Sequence, residues 1–245
     1  KTIAGKQFFT EEIKKLFTMK KPRDFLSGKV SSCYQQHRSL FCHSMTKRYA
    51  LLLCPMIFIL TCNENPKEKN VTKPFRVHFD TTQGSFIVKV HPEWAPLGAK
   101  RFRTLVVNGY YNDIRIFRVL SSFVAQFGIS GRPEIAQKWA SRSFRDDPVR
   151  MSNRKGTVTF AKSSKAHSRT TQVFINYNDN SRLDKQGFTP FGEIIEGMDV
   201  TNRFYSHYGN RASQEKIHQK GNEYLDKNFP EMDTIRSARI LGENE

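Results

Sequence analysis

Side chains able to cleave, ligate or transfer are thinly spread over these 245 residues. The cysteines are Cys33, Cys42, Cys54 and Cys62, so everything after Cys62 can carry no disulfide framework, cysteine nucleophile or cysteine-ligated metal. The histidines, His37, His43, His78, His91, His167, His207 and His218, never stand four apart as a helical metal pair would require. There is no glycine-rich phosphate loop and no Gly-x-Ser-x-Gly elbow. The run from Asp179 to Gly187 looks acidic but lacks the glycine and the bidentate glutamate of a calcium loop. No metal or cofactor is therefore expected, and the informative chemistry must use other groups.

Composition narrows the class. With 38% hydrophobic and 26% charged residues the chain has the balance of a folded soluble domain rather than a disordered or fibrous one. No window reaches the roughly 18 to 20 unbroken apolar residues needed to span a bilayer, which excludes a polytopic membrane protein. The net charge of +17 is uneven: residues 1–61 hold 11 Lys/Arg and 3 Asp/Glu, leaving +9 for the rest. A basic body attracts nucleic acid, anionic membrane or acidic partners alike through its long-range field. Nucleic acid is not expected as a partner, because export would remove the basic front end and no stacking motif accompanies what remains.

That front end reads as an address. Lys47 and Arg48 follow Met45 and precede an apolar run from Tyr49 to Cys62, too short to span as a helix and suited to the h-region of an export signal. The ending Ile59-Leu60-Thr61-Cys62 resembles the lipobox of bacterial lipoproteins, in which the cysteine becomes lipidated, although Thr61 departs from the usual small residue. An uncleaved anchor or a buried core segment are the alternatives. The expected organisation is a signal over 45–61, a polar tether over 62–74, and a globular domain over 75–245, with export to the cell envelope and a lipid anchor at Cys62. Residues 1–44 are an upstream segment to which no function attaches; an over-extended N-terminus ahead of Met45 would account for it.

Elements that could position a site begin near Phe75. Phe75–Asp80 and Ser85–His91 alternate apolar and polar residues around Thr81-Thr82-Gln83-Gly84, which predicts a hairpin. Residues 96–108 start with Pro96, bring Leu97, Phe102, Leu105 and Val106 to one side and precede Gly109, which predicts a helix. Short strands are expected at Ile116–Leu120, Phe123–Phe127, Thr157–Ala161, Gln172–Asn176, Phe191–Ile195 and Ala238–Leu241. Many short strands with one or two helices favour a barrel or sandwich.

Several phrases then occur in a fixed order: Gly109-Tyr110-Tyr111-Asn112-Asp113, Ile116-Phe117-Arg118-Val119, Phe123-Val124-Ala125-Gln126-Phe127-Gly128, Gly156-Thr157-Val158-Thr159-Phe160-Ala161, Thr171-Gln172-Val173-Phe174-Ile175-Asn176, and Phe191-Gly192-Glu193 followed by Gly197-Met198-Asp199-Val200. In this order they resemble the cyclophilin-type peptidyl-prolyl isomerases, over about Phe75 to Leu241, and the stretches 126–131, 183–192 and 221–233 look like the exported bacterial branch. The resemblance implies a mainly β fold, a closed eight-stranded antiparallel barrel capped by helices, in a monomer that takes proline-containing polypeptides. It also implies isomerisation of X-Pro bonds in the folding of exported proteins. A catalytically weak proline-binding chaperone or docking module is the alternative.

On that resemblance Arg118 is the catalytic arginine and Gln126 the glutamine that helps place it. Phe123, Val124, Phe174 and Leu183 fall on the proline pocket, Ala161 and Lys162 on a pair whose backbone contacts the peptide, Gln172 on a groove glutamine and Phe188 on a pocket histidine. Departures accompany the match. Ile116 and Phe117 replace a Phe and a His, Ser121-Ser122 replaces a Pro-Gly turn that could shift the arginine's strand, and Arg182 stands where many relatives have the tryptophan that contacts cyclosporin. Reduced activity and weak cyclosporin inhibition are the expectation.

Overall fold

A computed structural model of the protein describes residues 71–242; the signal-like segment, Cys62, residues 1–44 and most of the tether lie outside the described residues. Strands β1 (Phe75–Thr81) and β2 (Gly84–Val90) form the hairpin, in register from Phe75 opposite Val90 to Thr81 opposite Gly84. Period-two alternation sends Val77, Phe79, Phe86, Val88 and Val90 to one buried face, where the rings of Phe79 and Phe86 stack 4.7 Å apart. The remaining strands are β3 (Ile114–Arg115), β4 (Arg118–Leu120), β5 (Val124–Phe127), β6 (Thr157–Phe160), β7 (Val173–Asn176), β8 (Pro190–Glu196) and β9 (Thr234–Ile240). They make one antiparallel sheet in the order β3-β9-β1-β2-β8-β6-β7-β5-β4.

The sheet thus has nine strands where eight were expected, and the extra one has a physical cause. The strand predicted at Ile116–Leu120 starts only at Arg118, and a short β3, outside that range, precedes it on the other edge of the sheet: the Ile116 amide still bonds to the Asp233 carbonyl beside β9, at 2.9 Å, whereas Arg118 already pairs with Gln126 of β5. Two residues span roughly 7 Å, so the first and last strands of the sheet meet at this crossing and the sheet curls round on itself. Ile116 turns into the interior with Phe79, Phe102, Tyr111, Phe127, Phe160 and Phe191, while Phe117 turns outward into a second cluster.

Helix α1 (Pro96–Val107) covers the barrel with Phe102, Leu105 and Val106. Its first turn is capped from a distance, the Asp147 carboxylate accepting from the amides of Leu97 and Gly98 at 3.1 and 2.8 Å. The described residues also form the helices α2 (Pro133–Ala140), α3 (Met198–Asn202) and α4 (Gln214–Asn228). Ile217 and Leu225 of α4 pack with Phe117, Ile129 and Ala136. The α4 segment bends at Gly221, whose φ of 57° and ψ of −141° let the Gly131 carbonyl approach; a Cβ there would lie 1.8 Å from that oxygen.

Candidate active site

Because β4, β5 and β7 lie side by side, residues in register form rows across the sheet. Val119, Ala125, Ile175 and Val158 make one row, directed into the barrel. The adjacent row, Arg118, Gln126, Phe174 and Thr159, includes the groups that face outward. On that face Arg118 Nη1 donates to Gln126 Oε1 at 3.0 Å and Gln126 Nε2 donates to Gln172 Oε1 at 2.8 Å, which fixes the amide orientation of both glutamines. Arg118 is half-buried and, among the described residues, has no carboxylate partner and leaves Nε without an acceptor. Burial pushes its guanidinium below the ordinary value. The Ser121-Ser122 turn does not displace it: the Phe123 amide bonds to the Leu120 carbonyl at 2.8 Å and Arg118 stays opposite Gln126.

Beside this relay lies a pocket of about 390 Å³. Val124, Phe174 and Leu183 form a small apolar cluster separate from the barrel interior, with Phe123, Ala161 and Phe188 packed on it. Phe188 meets Phe174 edge-on at 5.8 Å. Polar clips hold these walls. Leu183 sits on a 3₁₀ helix (Ser181–Gln186) whose Asp184 carboxylate accepts from Ser152 Oγ and from the Asn153 amide and side chain. Burial raises the Asp184 carboxyl, but those hydrogen bonds outweigh it and hold the group below its ordinary value. Asn153 Nδ2 also donates to the Phe188 carbonyl at 2.9 Å, and Asn180 Nδ2 to the Phe123 carbonyl at 3.0 Å. The buried Arg169 guanidinium ties the Asp146 carboxylate to the Gly187 carbonyl.

All ten described residues singled out in the sequence line this one pocket: Arg118, Phe123, Val124, Gln126, Ala161, Lys162, Gln172, Phe174, Leu183 and Phe188. Ser163, Ser168, Thr170 and Gln214 line it as well and were not anticipated. The first three lie in the β6–β7 connection that starts at Ala161, so the segment carried a local signal; Gln214 arrives from α4, far away in the chain, and carried none. No three His, Cys, Asp or Glu residues converge as metal ligands among the described residues. A guanidinium with no carboxylate partner among the described residues, beside an apolar pocket, can bind and polarise an amide.

Comparison with known proteins gives a consistent result. Residues 76–222 match the family model for cyclophilin-type peptidyl-prolyl cis-trans isomerase/CLD. The chain is 30% identical over 135 residues to peptidyl-prolyl cis-trans isomerase B of Escherichia coli, covering 52% of this chain and 82% of that one. It is likewise 30% identical over 132 residues to a peptidyl-prolyl cis-trans isomerase of Acinetobacter baylyi, covering 52% and 70%. Among solved structures, a cyclophilin from Hirschia baltica superposes with a TM-score of 0.52 at 19% identity, covering 72% of this chain and 77% of that one, a likeness of fold.

Proposed function

The chain belongs to the cyclophilin-type peptidyl-prolyl cis-trans isomerase family, and from that premise we propose that Arg118 drives rotation about X-Pro bonds held in the adjoining pocket. The enzyme is a peptidyl-prolyl cis-trans isomerase. Its reaction breaks no covalent bond: the barrier of about 18–20 kcal/mol is lost amide resonance, which makes the uncatalysed step take tens to hundreds of seconds. As the amide twists, the prolyl nitrogen regains its lone pair and becomes an acceptor. A donor placed there binds the transition state better than either ground state. Arg118 carries a planar fork of donors that stays charged, and Gln126, braced by Gln172, fixes its direction.

The pocket supplies the grip. Phe123, Val124, Phe174, Leu183 and Phe188 would hold the proline ring in either isomer and exclude water, which strengthens the arginine's hydrogen bonds. The backbone of Ala161 and Lys162 and the side chain of Gln172 would receive the peptide chain. The observation that carries this reading is the guanidinium held at the mouth of an apolar pocket with no carboxylate among the described residues to neutralise it. The test is a cis-to-trans assay on a short X-Pro peptide with wild type and Arg118→Ala at equal folded concentration. A loss of at least about tenfold, some 1.4 kcal/mol of barrier, is expected; peptide binding without catalysis by the wild type would instead make the fold a docking module.

We further propose that the enzyme is exported and tethered to the cell envelope through Cys62, where it assists folding of exported proteins. The support is the pair Lys47-Arg48, the apolar run to Cys62 and the polar stretch after it. Fatty-acid labelling of wild type, with none in Cys62→Ser, is the result expected; equal labelling of both removes the anchor.

A further inference from the structure

Two of the three aromatic rings lining the pocket, Phe123 and Phe188, are topped by a cation. Arg182 Cζ stands 4.8 Å from the centroid of Phe123, and Lys162 Nζ stands 5.2 Å from that of Phe188. Arg118 approaches Phe123 as well, at 5.7 Å. None of the described residues lining the pocket carries a carboxylate. The acid nearest in sequence to its floor, Asp184, is committed to Ser152 and Asn153. Neither Lys162 nor Arg182 forms an ion pair among the described residues, and Arg182 is exposed. Held over rings by cation–π attraction, these heads stay at the groove instead of sweeping through solvent. A peptide with its proline between the rings would have a positive charge close to each of its flanks.

We propose that Lys162 and Arg182 make this groove selective for X-Pro segments with acidic side chains, Asp or Glu, next to the proline. The inference rests on the isomerase reading of the same pocket and adds a substrate class to it. An exposed charge contact contributes roughly 0.2–1 kcal/mol, up to about fivefold in rate per contact. It fades when the Debye length shrinks from about 30 Å at 0.01 M to 3 Å at 1 M salt. A carboxylate and a phosphorylated side chain share this chemistry, so the experiment separates them.

Isomerisation of tetrapeptides carrying Glu, Gln, Lys or phosphoserine before the proline, or Glu, Gln or Lys after it, is followed by exchange NMR with the full chain at low and high salt. The readout is the ratio of kcat/KM for Glu to that for Gln, from which any general loss of activity cancels. Wild type is expected to favour Glu by about two- to fivefold at low salt, with Lys disfavoured; Lys162→Gln and Arg182→Gln each lower the ratio, and the double variant brings it near one. A wild-type ratio near one at low salt overturns the proposal while leaving the isomerase reading intact, since the Gln peptide is still turned over. No turnover of any peptide defeats that underlying reading and the proposal with it. A ratio that survives in the double variant, or a preference for phosphoserine without one for Glu, also overturns it.

Discussion

The four residues of β5, Val124–Phe127, separate two apolar clusters that are built in different ways. Ala125 and Phe127 face the barrel interior, where Phe127 meets the rings of Phe79 and Tyr111 edge-on at 5.9 and 5.7 Å. Val124 and Gln126 face the outer pocket, in which three buried apolar side chains share space with an amide relay and an arginine lacking one hydrogen-bond partner. The interior is buried, apolar and held by ring packing. The pocket is open and held by clips from Asp184, Asn153, Asn180 and Arg169. One strand therefore spends its inward face on stability and its outward face on chemistry, and the two should fail separately.

The largest expected effect tests the inward face. Phe127→Ala removes a buried ring and should cost about 3–5 kcal/mol of unfolding free energy, read as a lower urea midpoint at unchanged slope. Activity per folded molecule should stay within about twofold; a parallel collapse of kcat under native conditions would mean that the faces are coupled. Arg118→Ala should do the reverse. Among the described residues its guanidinium has no carboxylate partner to strand, so stability should change by less than about 1 kcal/mol while kcat/KM falls at least about tenfold.

Gln126→Leu ranks next. It removes both the acceptor for Arg118 Nη1 and the donor to Gln172 while keeping similar volume, so the arginine remains but is no longer aimed. A loss of several-fold in kcat with KM little changed is expected. An equal loss in Gln172→Leu, which touches the relay one step further out, would show that the whole row orients the guanidinium; no loss in either would leave Arg118 held by the strand alone.

The two faces were unequally legible in the sequence. Alternation in Phe75–Val90 and the Pro-first, Gly-last pattern around α1 report burial on one side, a local property, so the hairpin and that helix could be read directly. The late start of β4 at Arg118 and the short β3 before it could not, because leaving the β9 edge for β5 is set by closure of the whole sheet. Helix α4 escaped as well: Gly221 interrupts it and only Ile217, Gly221 and Leu225 are buried, so its periodicity is faint. In the pocket, Arg118, Gln126 and Gln172 stood out through the phrases around them, yet the relay joining them depends on the β4–β5–β7 register, and Gln214 enters from α4 with no sequence cue.

The smallest effect expected concerns how acid divides the two regions. Asp184 is held below its ordinary value, so its ionised form stabilises the native state fully above the unfolded value near 3.9, and that contribution is lost as pH falls through the folded value. The interior cluster is built of apolar side chains. Acidification below about pH 4 should therefore loosen the Ser152–Asn153 clip and the Leu183 wall before the barrel gives way. Asp184→Asn keeps the shape without the charge: it should be less stable than wild type at pH 6, with the gap in urea midpoint narrowing towards pH 3 and peptide KM already raised at pH 6. Subtracting the two proteins cancels the other carboxylates that titrate in this window. A gap constant across pH would mean that the Asp184 charge contributes nothing to the clip and that the pocket, like the barrel, stands on packing alone.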